Sequence, residues 1–278
     1  MLWLLAGCLL LAEPPEIVAG ASIFGGDTAS ATPEELGEPL QVGVGYSDAC
    51  VVYDSGAIAC SGYTKGPEGI FVDIEGGLFD YCGITADNEL ICEDDKGGPS
   101  EAESVDIGES GACAIKDGAL KCWGSNTFGV ADPPSGSSWV RVAVGTFNGC
   151  AVSESGSAKC WSDDSRDDVN DVPSGDYLDI ATADFTACGI RDDGTIRCWG
   201  SSLEPAPSGS YVAIEAGEYH YCALRDDGDV KCWGDDDYQQ SSPPGDSFES
   251  FDSGGLGNCG ITTDHEVKCW GKVEEGEW

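Results

Sequence analysis

The sequence predicts an all-β chain folded as a seven-bladed β-propeller, with one disulfide-stapled hairpin per blade. Three observations carry this prediction: seven cysteine pairs, a repeat period in the thirties, and hairpin-turn signals between the paired cysteines. The first members of successive pairs are separated by 32, 31, 37, 38, 34 and 37 residues. The predicted pairs are Cys50 with Cys60, Cys82 with Cys92, Cys113 with Cys122, Cys150 with Cys160, Cys188 with Cys198, Cys222 with Cys232, and Cys259 with Cys269.

Each unit repeats the same order of segments between residues 41 and 271. An alternation of apolar residues, as at residues 140–142 or 212–214, indicates a half-buried first strand. A Gly five residues before the first Cys, replaced by Ala183 in the fifth unit, marks the turn into a second strand. A tight turn then leads to a third strand that often ends at Cys-Trp-Gly. The stretches that connect the units are rich in Ser, Pro, Asp and Gly. We expect each unit to form a sheet of three or four strands.

The spacing within the pairs predicts cross-strand disulfides. In six units the cysteines are ten positions apart, so direct opposition requires a three-residue loop with a left-handed Gly, such as Asp192, Asp193 and Gly194. In the third unit the spacing is nine, and Asp117 and Gly118 provide a two-residue type I′ turn. Both cysteines therefore still face each other after the loss of one turn residue. In the chain-entropy model each bond stabilises by roughly 2.5–3 kcal/mol.

Sheets of this size must bury their faces on neighbours, and radial stacking of antiparallel sheets does so while protecting the edges. An open β-solenoid is the alternative, but the hairpin turns disfavour it. Because the last unit lacks the connecting stretch, we expect residues 22–40 to supply a strand that closes the ring. We expect the Trp of the repeated motif to fill the space between blades. This set is Trp123, Trp161, Trp199, Trp233 and Trp270.

The first twelve residues form an apolar run that is too short to span a bilayer and suits a signal-peptide core. Residues 5–8 resemble a bacterial lipoprotein processing site, in which Cys8 would be lipidated. We therefore predict an export signal or lipoprotein leader with a short linker over residues 1–20 and the propeller over residues 21–278. Secretion or surface anchoring in a bacterium also fits the other cysteines, which contain no Cys-x-x-Cys zinc spacing.

The charge narrows the range of partners. The chain carries 51 acidic and 13 basic residues, a formal net charge of −38. Such a surface repels nucleic acid and anionic membranes, because phosphate binding requires Lys and Arg. A cationic or polar partner is compatible with it, and so is the simpler interpretation that the charge keeps the protein soluble. We expect no nucleic-acid binding, and membrane association only through lipid at Cys8.

No catalytic residue, metal site or cofactor is predicted. Of the two histidines, His220 is expected to be structural and His265 to be exposed in the turn of the seventh unit. The acidic clusters at residues 163–168 and 235–237 lack the spacing of a calcium loop, so we interpret them as solvated turns. Because 51 acids offer too many combinations, spacing identifies no acid–base pair, and an enzyme is the third hypothesis.

Residues 214–224 (IEAGEYHYCAL) and 227–234 (DGDVKCWG) resemble the repeat of the regulator of chromosome condensation family in its bacterial, cysteine-paired form. The likeness covers residues 41–271 and is weaker in the first two units. The same superfamily includes a secreted propeller that inhibits β-lactamase. The resemblance implies a seven-bladed propeller with a protein-binding role and does not identify the partner. The nucleotide-exchange activity of the eukaryotic founder is not carried over, since the acidity, the export signal and the disulfides contradict it.

Candidate binding residues lie in the loop between the first and second strands, three positions before the first Cys of each pair. All seven copies should meet at one end of the ring. In the β-lactamase inhibitor of the same superfamily, aromatic residues at this position contact the target enzyme. Aromatic residues are also common anchors of protein interfaces. The predicted contacts are Phe79, Phe147, Phe185, Tyr219 and Leu256, edged by Tyr46, Asp48, Asp80 and Glu218. The competing interpretation is that Phe79, Phe147 and Phe185 pack between blades.

These observations favour an exported, monomeric propeller that binds a protein through one end of the ring. An inhibitor of an extracellular enzyme is the specific form of this hypothesis. The alternative is a structural or adhesive cell-surface protein that binds carbohydrate or matrix through its repeated loops.

Overall fold

The computed structural model describes residues 36–62, 64–78, 80–93, 97–109, 111–163, 168–201, 205–274 and 276. The predicted leader, Cys8 and most of the predicted closing segment 22–40 lie outside the described residues. The described residues form 21 strands in seven three-stranded antiparallel sheets, each built from consecutive strands. The all-β prediction of one sheet per repeat is therefore confirmed. Within these ranges no helix has the length and apolar character needed to cross a membrane.

Every blade places its three strands in chain order, and a short 3-10 helix (Asp168–Asn170) lies between the fourth and fifth blades. Blades one to four comprise β1 (Pro39–Val44), β2 (Ala49–Tyr53), β3 (Ile58–Cys60), β4 (Asp73–Gly76), β5 (Tyr81–Ile84), β6 (Leu90–Cys92), β7 (Ser104–Ile107), β8 (Gly111–Lys116), β9 (Ala119–Gly124), β10 (Trp139–Val144), β11 (Gly149–Ser153) and β12 (Ala158–Trp161). Blades five to seven comprise β13 (Tyr177–Thr182), β14 (Thr186–Arg191), β15 (Ile196–Gly200), β16 (Ala213–Ala216), β17 (His220–Leu224), β18 (Val230–Gly234), β19 (Phe248–Ser253), β20 (Gly257–Thr262) and β21 (Val267–Gly271).

All seven predicted disulfides are present. The two cysteines of each pair are direct cross-strand partners between the second and third strands, with Cα atoms 4.0 Å apart. The turns follow the predicted geometry: Asp117 and Gly118 both have positive φ, as a type I′ turn requires, and Gly194 has a φ of +80°. His265 occupies the left-handed position with a φ of +60°. The turn residues thus set the register of each stapled hairpin.

The hydrophobic core is divided among the contacts between neighbouring blades. Between blades five and six, for example, Ala181 and Ile190 pack against Ile214 and Tyr221. The five Trp side chains of the repeated motif are buried, as predicted. Three of them donate an indole N–H to the connecting segment, as Trp199 does to the carbonyl of Val169 at 2.8 Å. Stacking around the ring therefore buries the faces that a single sheet would leave exposed.

A β-bulge at the start of the first strand changes the predicted alternation. In β10 the register shifts between Trp139 and Arg141, and equivalent shifts occur in β1, β13 and β19. Trp139 is buried and Val140 is exposed, whereas the apolar alternation suggests that Val140 shares the buried face with Val142. Because a bulge adds one residue to one strand, it re-aims the side chain at that position.

The ring closes directly between blades seven and one. The N–H of Gly255 donates to the carbonyl of Gly45 at 3.0 Å, and the N–H of Leu256 donates to the carbonyl of Tyr46 at 3.1 Å. After β21 the chain continues to blade one, where the N–H of Glu274 donates to the carbonyl of Ser47 at 2.7 Å. These bonds exclude the open solenoid. Of the predicted closing segment, residues 39 and 40 belong to β1 of blade one.

Candidate functional site

The loop end of the ring is the end that carries the loops between first and second strands, such as residues 45–48 and 217–219. A cavity opens there on the axis, lined by the ends of the first strands and the following loops of all seven blades, and its space together with the open mouth is about 670 Å³. The lining includes seven acidic residues, and none of the described lining residues is basic. The acids are Glu75, Asp106, Glu109, Asp184, Glu215, Glu218 and Asp252. The cavity is therefore a strongly acidic depression.

Burial shifts the ionisation of the deeper carboxyls. Desolvation, followed by repulsion from Asp252, raises the pKa of both Glu75 and Glu215 well above the usual range. Desolvation raises the pKa of Asp252 to about 8 and that of Asp106 to about 6. The common cause is burial, which withdraws the carboxylates from water, and repulsion between neighbouring carboxylates adds to it for Glu75, Glu215 and Asp252. A cation that entered the cavity would favour the ionised forms.

Two of these carboxylates also join neighbouring blades. Asp252 accepts a hydrogen bond from the N–H of Val44 at 2.6 Å, and Asp106 accepts one from the N–H of Val144. The first bond joins blade seven to blade one and the second joins blade three to blade four. Each carboxylate therefore fixes the relative position of two inner strands at the cavity wall.

Tyr219 is the most exposed of the predicted contacts at the loop end. Its side chain is 53% exposed, and a hydrogen bond to the Glu218 carboxylate raises the pKa of its hydroxyl, as do the nearby charge of Asp184 and partial burial. The neighbouring Tyr46 and Glu218 line the cavity, and the pKa of Tyr46 is raised by burial and by the charges of Glu218 and Glu109. An exposed aromatic ring therefore stands beside several carboxylates, an arrangement suited to a partner that presents both apolar and cationic groups.

Backbone hydrogen bonds hold the loops around Tyr219 in place. The N–H of Asp184 donates to the carbonyl of Glu218 at 3.5 Å, and the N–H of Glu218 donates to the carbonyl of Gly255 at 3.0 Å. Gly255 in turn donates to Gly45. The loops of blades five, six, seven and one thus form a continuous chain, which presents Tyr219 on a pre-organised surface.

Phe147 and Phe185 form an aromatic stack across blades four and five. Their ring centroids are 4.6 Å apart with nearly parallel planes, and Phe128 packs edge-on against Phe147, also at 4.6 Å. Both Phe147 and Phe185 are half-buried. They therefore pack between blades and also leave apolar surface at the loop end, so both sequence interpretations describe part of their environment.

Four other predicted contacts need correction or fall outside the described residues. Leu256 and Asp80 are only 7% and 8% exposed, because the closed loop end packs over them, so neither offers a surface to a partner. Asp48 accepts a hydrogen bond from the Tyr81 hydroxyl at 3.1 Å and links blades one and two without lining the cavity. Phe79 lies outside the described residues.

The histidines and the acidic turn have the environments that the sequence predicts. His220 is fully buried and its Nε2 lies 2.8 Å from Asn258 Oδ1, while burial lowers its pKa. His265 is exposed in its hairpin turn. In the cluster 235–237, Asp236 accepts hydrogen bonds from Ser241 and Ser242, which fixes the turn itself. Residues 164–167 of the other cluster lie outside the described residues.

Sequence reasoning missed most of the acidic lining. Glu75, Asp106, Glu215 and Asp252 all stand two residues before the Gly that follows the first strand. This shared register was a usable signal. It shows convergence on the axis only once the ring is known to close, because the residues come from different repeats.

Comparison with family models supports the repeat. Residues 211–240, within the sixth unit, match the model described as Regulator of chromosome condensation (RCC1) repeat. This match confirms the resemblance drawn from residues 214–234. A search of curated proteins finds no match to the chain.

Several solved structures share the fold. The CRINKLY WD40 ectodomain of the Arabidopsis thaliana receptor kinase ACR4 is 22% identical, with a TM-score of 0.71 over 87% of this chain and 98% of that chain. The ectodomain of the Physcomitrella patens receptor kinase CR4 is 23% identical, with a TM-score of 0.67 over 86% and 74% of the two chains. Prp20p from Saccharomyces cerevisiae, studied for its binding to Gsp1p and histones, is 10% identical, with a TM-score of 0.59 over 84% and 82%. At these identities the similarity shows the fold.

Proposed function

Starting from a propeller that carries a regulator of chromosome condensation repeat, we propose that this chain is an exported protein that binds a protein partner through its loop end. The observation that carries the proposal is exposed Tyr219, held beside Glu218 and Asp184 on loops that are hydrogen-bonded to one another. A binding function is favoured because an exposed aromatic ring beside carboxylates is typical of an interface anchor.

The chemistry of the surface specifies the kind of partner. Seven acidic lining residues favour a partner that presents Lys or Arg toward the axis, because opposite charge steers association. The aromatic rings of Tyr219, Phe147 and Phe185 favour apolar contact around it. An inhibitor of an extracellular enzyme is one specific form of this function.

The disulfides support a location outside the cytosol. Seven cross-strand disulfides persist in an oxidising compartment and would be reduced in most cytosols. Export through the predicted leader, as a secreted or lipid-anchored monomer, is part of the same proposal.

The experiment is comparative capture from the native extracellular fraction. Wild-type protein, Tyr219→Ala, and Phe147→Ala with Phe185→Ala are immobilised, and captured proteins are quantified by mass spectrometry. We expect Tyr219→Ala to weaken capture of the partner by about thirtyfold or more, as loss of an interface hot spot does. Higher salt should weaken capture by the wild type.

The matched control is Ile70→Gln, which changes an exposed aliphatic residue beside the hairpin turn at Gly56. It should capture the partner as the wild type does. Equal capture by Tyr219→Ala and Ile70→Gln would overturn the site. Release of the captured material by simple sugars would instead favour the adhesive, carbohydrate-binding function.

A further inference from the structure

The turn end, which is the end that carries the hairpin turns and the starts of the first strands, bears a ring of exposed aliphatic side chains. They occupy one register, five residues before the Gly or Ala that follows the first strand. Each is between 38% and 58% exposed, and they account for five of the eight exposed large hydrophobic side chains of the described residues. The aliphatic ring consists of Leu40, Val72, Val140, Leu178 and Val212. Such concentration at one register differs from the scattered exposure of a typical surface.

The fold does not require aliphatic residues at this register. The β-bulges at Leu40, Val140 and Leu178 turn the side chain toward solvent, while the preceding residue is buried at the equivalent place in blades four and five. Blades three and seven carry exposed Glu103 and Glu249 there instead, and both blades form the same sheet. An exposed apolar residue that folding does not require points to contact with another molecule.

An acidic rim surrounds the aliphatic ring. Every one of the seven hairpin turns at this end contributes an exposed acid. The rim consists of Asp54, Asp87, Asp117, Glu154, Asp192, Asp226 and Asp264.

The cations at this end are already engaged. Lys116 pairs with Glu101 at 2.9 Å, and Arg141 lies 3.8 Å from Asp179. Arg191 and Arg225 lie over the rings of Tyr177 and Tyr211 and donate to backbone carbonyls. The rim is therefore negative.

We propose that the turn end is a second docking surface, which binds a segment of a partner protein that presents apolar side chains flanked by Lys or Arg. The apolar side chains would cover the aliphatic ring, and the cations would meet the acidic rim. A second copy of this chain is a poor occupant because seven acids would face seven acids. An anionic membrane is excluded on the same ground.

This inference does not depend on the proposed function of the loop end. The two surfaces lie at opposite ends of the ring and share no residue. Variants at one end therefore test it without disturbing the other.

The test uses short fluorescein-labelled peptides and fluorescence anisotropy. One peptide alternates Leu and Lys, a second alternates Ser and Lys, and a third alternates Leu and Glu. We expect the wild type to bind the Leu–Lys peptide and to bind the other two at least about tenfold more weakly, since each lacks one of the two complementary features.

The decisive variant is Leu178→Gln with Val212→Gln, which replaces two members of the aliphatic ring by the neutral analogue of the Glu found in blades three and seven. It should weaken binding of the Leu–Lys peptide at least about tenfold. The reverse variant, Glu249→Leu, should strengthen it. Tyr238→Gln, which changes an exposed aromatic residue that belongs to neither proposed surface, is the matched control and should bind as the wild type does.

Folding of each variant is checked by intact mass for the seven disulfides and by the unfolding midpoint in urea. Absence of Leu–Lys binding to the wild type, or equal binding by the double Gln variant and the wild type, would overturn the proposal. Self-association of the wild type in sedimentation, abolished by the double Gln variant, would also overturn it by assigning the face to a second copy.

Discussion

The two ends of the ring join neighbouring blades in different ways. At the turn end one backbone bond is repeated: the hairpin turn of a blade accepts a hydrogen bond from a residue at, or just before, the start of the next first strand. Examples are Gly194 with Tyr211 and Gly228 with Phe248, both at 2.9 Å. At the loop end the links differ from blade to blade and include side chains. Asn148 donates to the carbonyls of Ala183 and Asp184, whereas His220 meets Asn258.

This difference shows where the repeat constrains the sequence. The turn-end bond requires only a backbone N–H and a backbone carbonyl, so the side chains beside it are free to form the aliphatic ring. At the junction of blades seven and one this bond cannot form, because the equivalent residue is Pro39, which has no N–H. The loop end closes the ring there through Val44, Gly45 and Tyr46. The predicted binding surface is therefore also the site of closure.

The largest expected effect comes from removing a disulfide, which lies between the two ends of the ring. Cys222→Ala with Cys232→Ala removes a staple from the middle of blade six and should lower the free energy of unfolding by about 3 kcal/mol. Urea unfolding measures this loss. The pair Cys50→Ala with Cys60→Ala has the same loop length and should show a similar loss. A loss below about 1 kcal/mol in both would mean that packing between blades, rather than the disulfide, holds the hairpin.

The second test compares two equivalent bonds, one at the closing junction and one within the chain. Asp252→Ala and Asp106→Ala each remove the acceptor of a backbone N–H and should cost about 1–2 kcal/mol at pH 5. Asp252→Ala should accelerate hydrogen exchange at the Val44 amide. This acceleration should be larger than the one that Asp106→Ala causes at the Val144 amide. The reason is that no peptide connects blades seven and one. Equal acceleration would show that closure does not depend on this bond.

The smallest expected effect concerns the charge of the axial cavity. A carboxyl whose pKa is raised by folding keeps its proton in the native state after the unfolded chain has lost it, so stability falls as pH rises. For Asp252 this window extends from the ordinary value of about 4 to about 8. The raised pKa of Glu215 acts in the same direction.

Glu215→Gln should therefore raise the free energy of unfolding at pH 8 by about 1 kcal/mol and flatten its pH dependence. Thermal or urea unfolding between pH 5 and pH 8 measures the change. Glu154→Gln, which neutralises an exposed acid in a hairpin turn, is the control and should leave the profile nearly unchanged. A profile that rises toward pH 8 in the wild type would contradict the assignment.

The repeat and its disulfides were predictable because each depends on residues close in sequence. The one-residue deletion at Asp117 and Gly118 kept Cys113 opposite Cys122, and this local arithmetic needs no tertiary information. Burial of the Trp residues followed from their fixed place beside the second Cys. The candidate site was less predictable: Tyr219 is exposed as expected, but closure of the ring buries Leu256 at the same register.

The sequence by itself determined the number of blades, through the number of repeats. It also determined the register of the second and third strands and the pairing of the cysteines, since hairpin geometry within one unit specifies both. The tertiary structure alone decided which side chains meet across units. Glu75 and Glu215 are 140 residues apart in the chain, and both line the cavity because the ring closes. The bulge that turns Leu178 toward solvent is likewise set by pairing with a neighbouring strand and by packing against the next blade. The local periodicity of the sequence shows neither the meeting of these carboxylates nor the bulge, because contacts between repeats depend on closure of the ring.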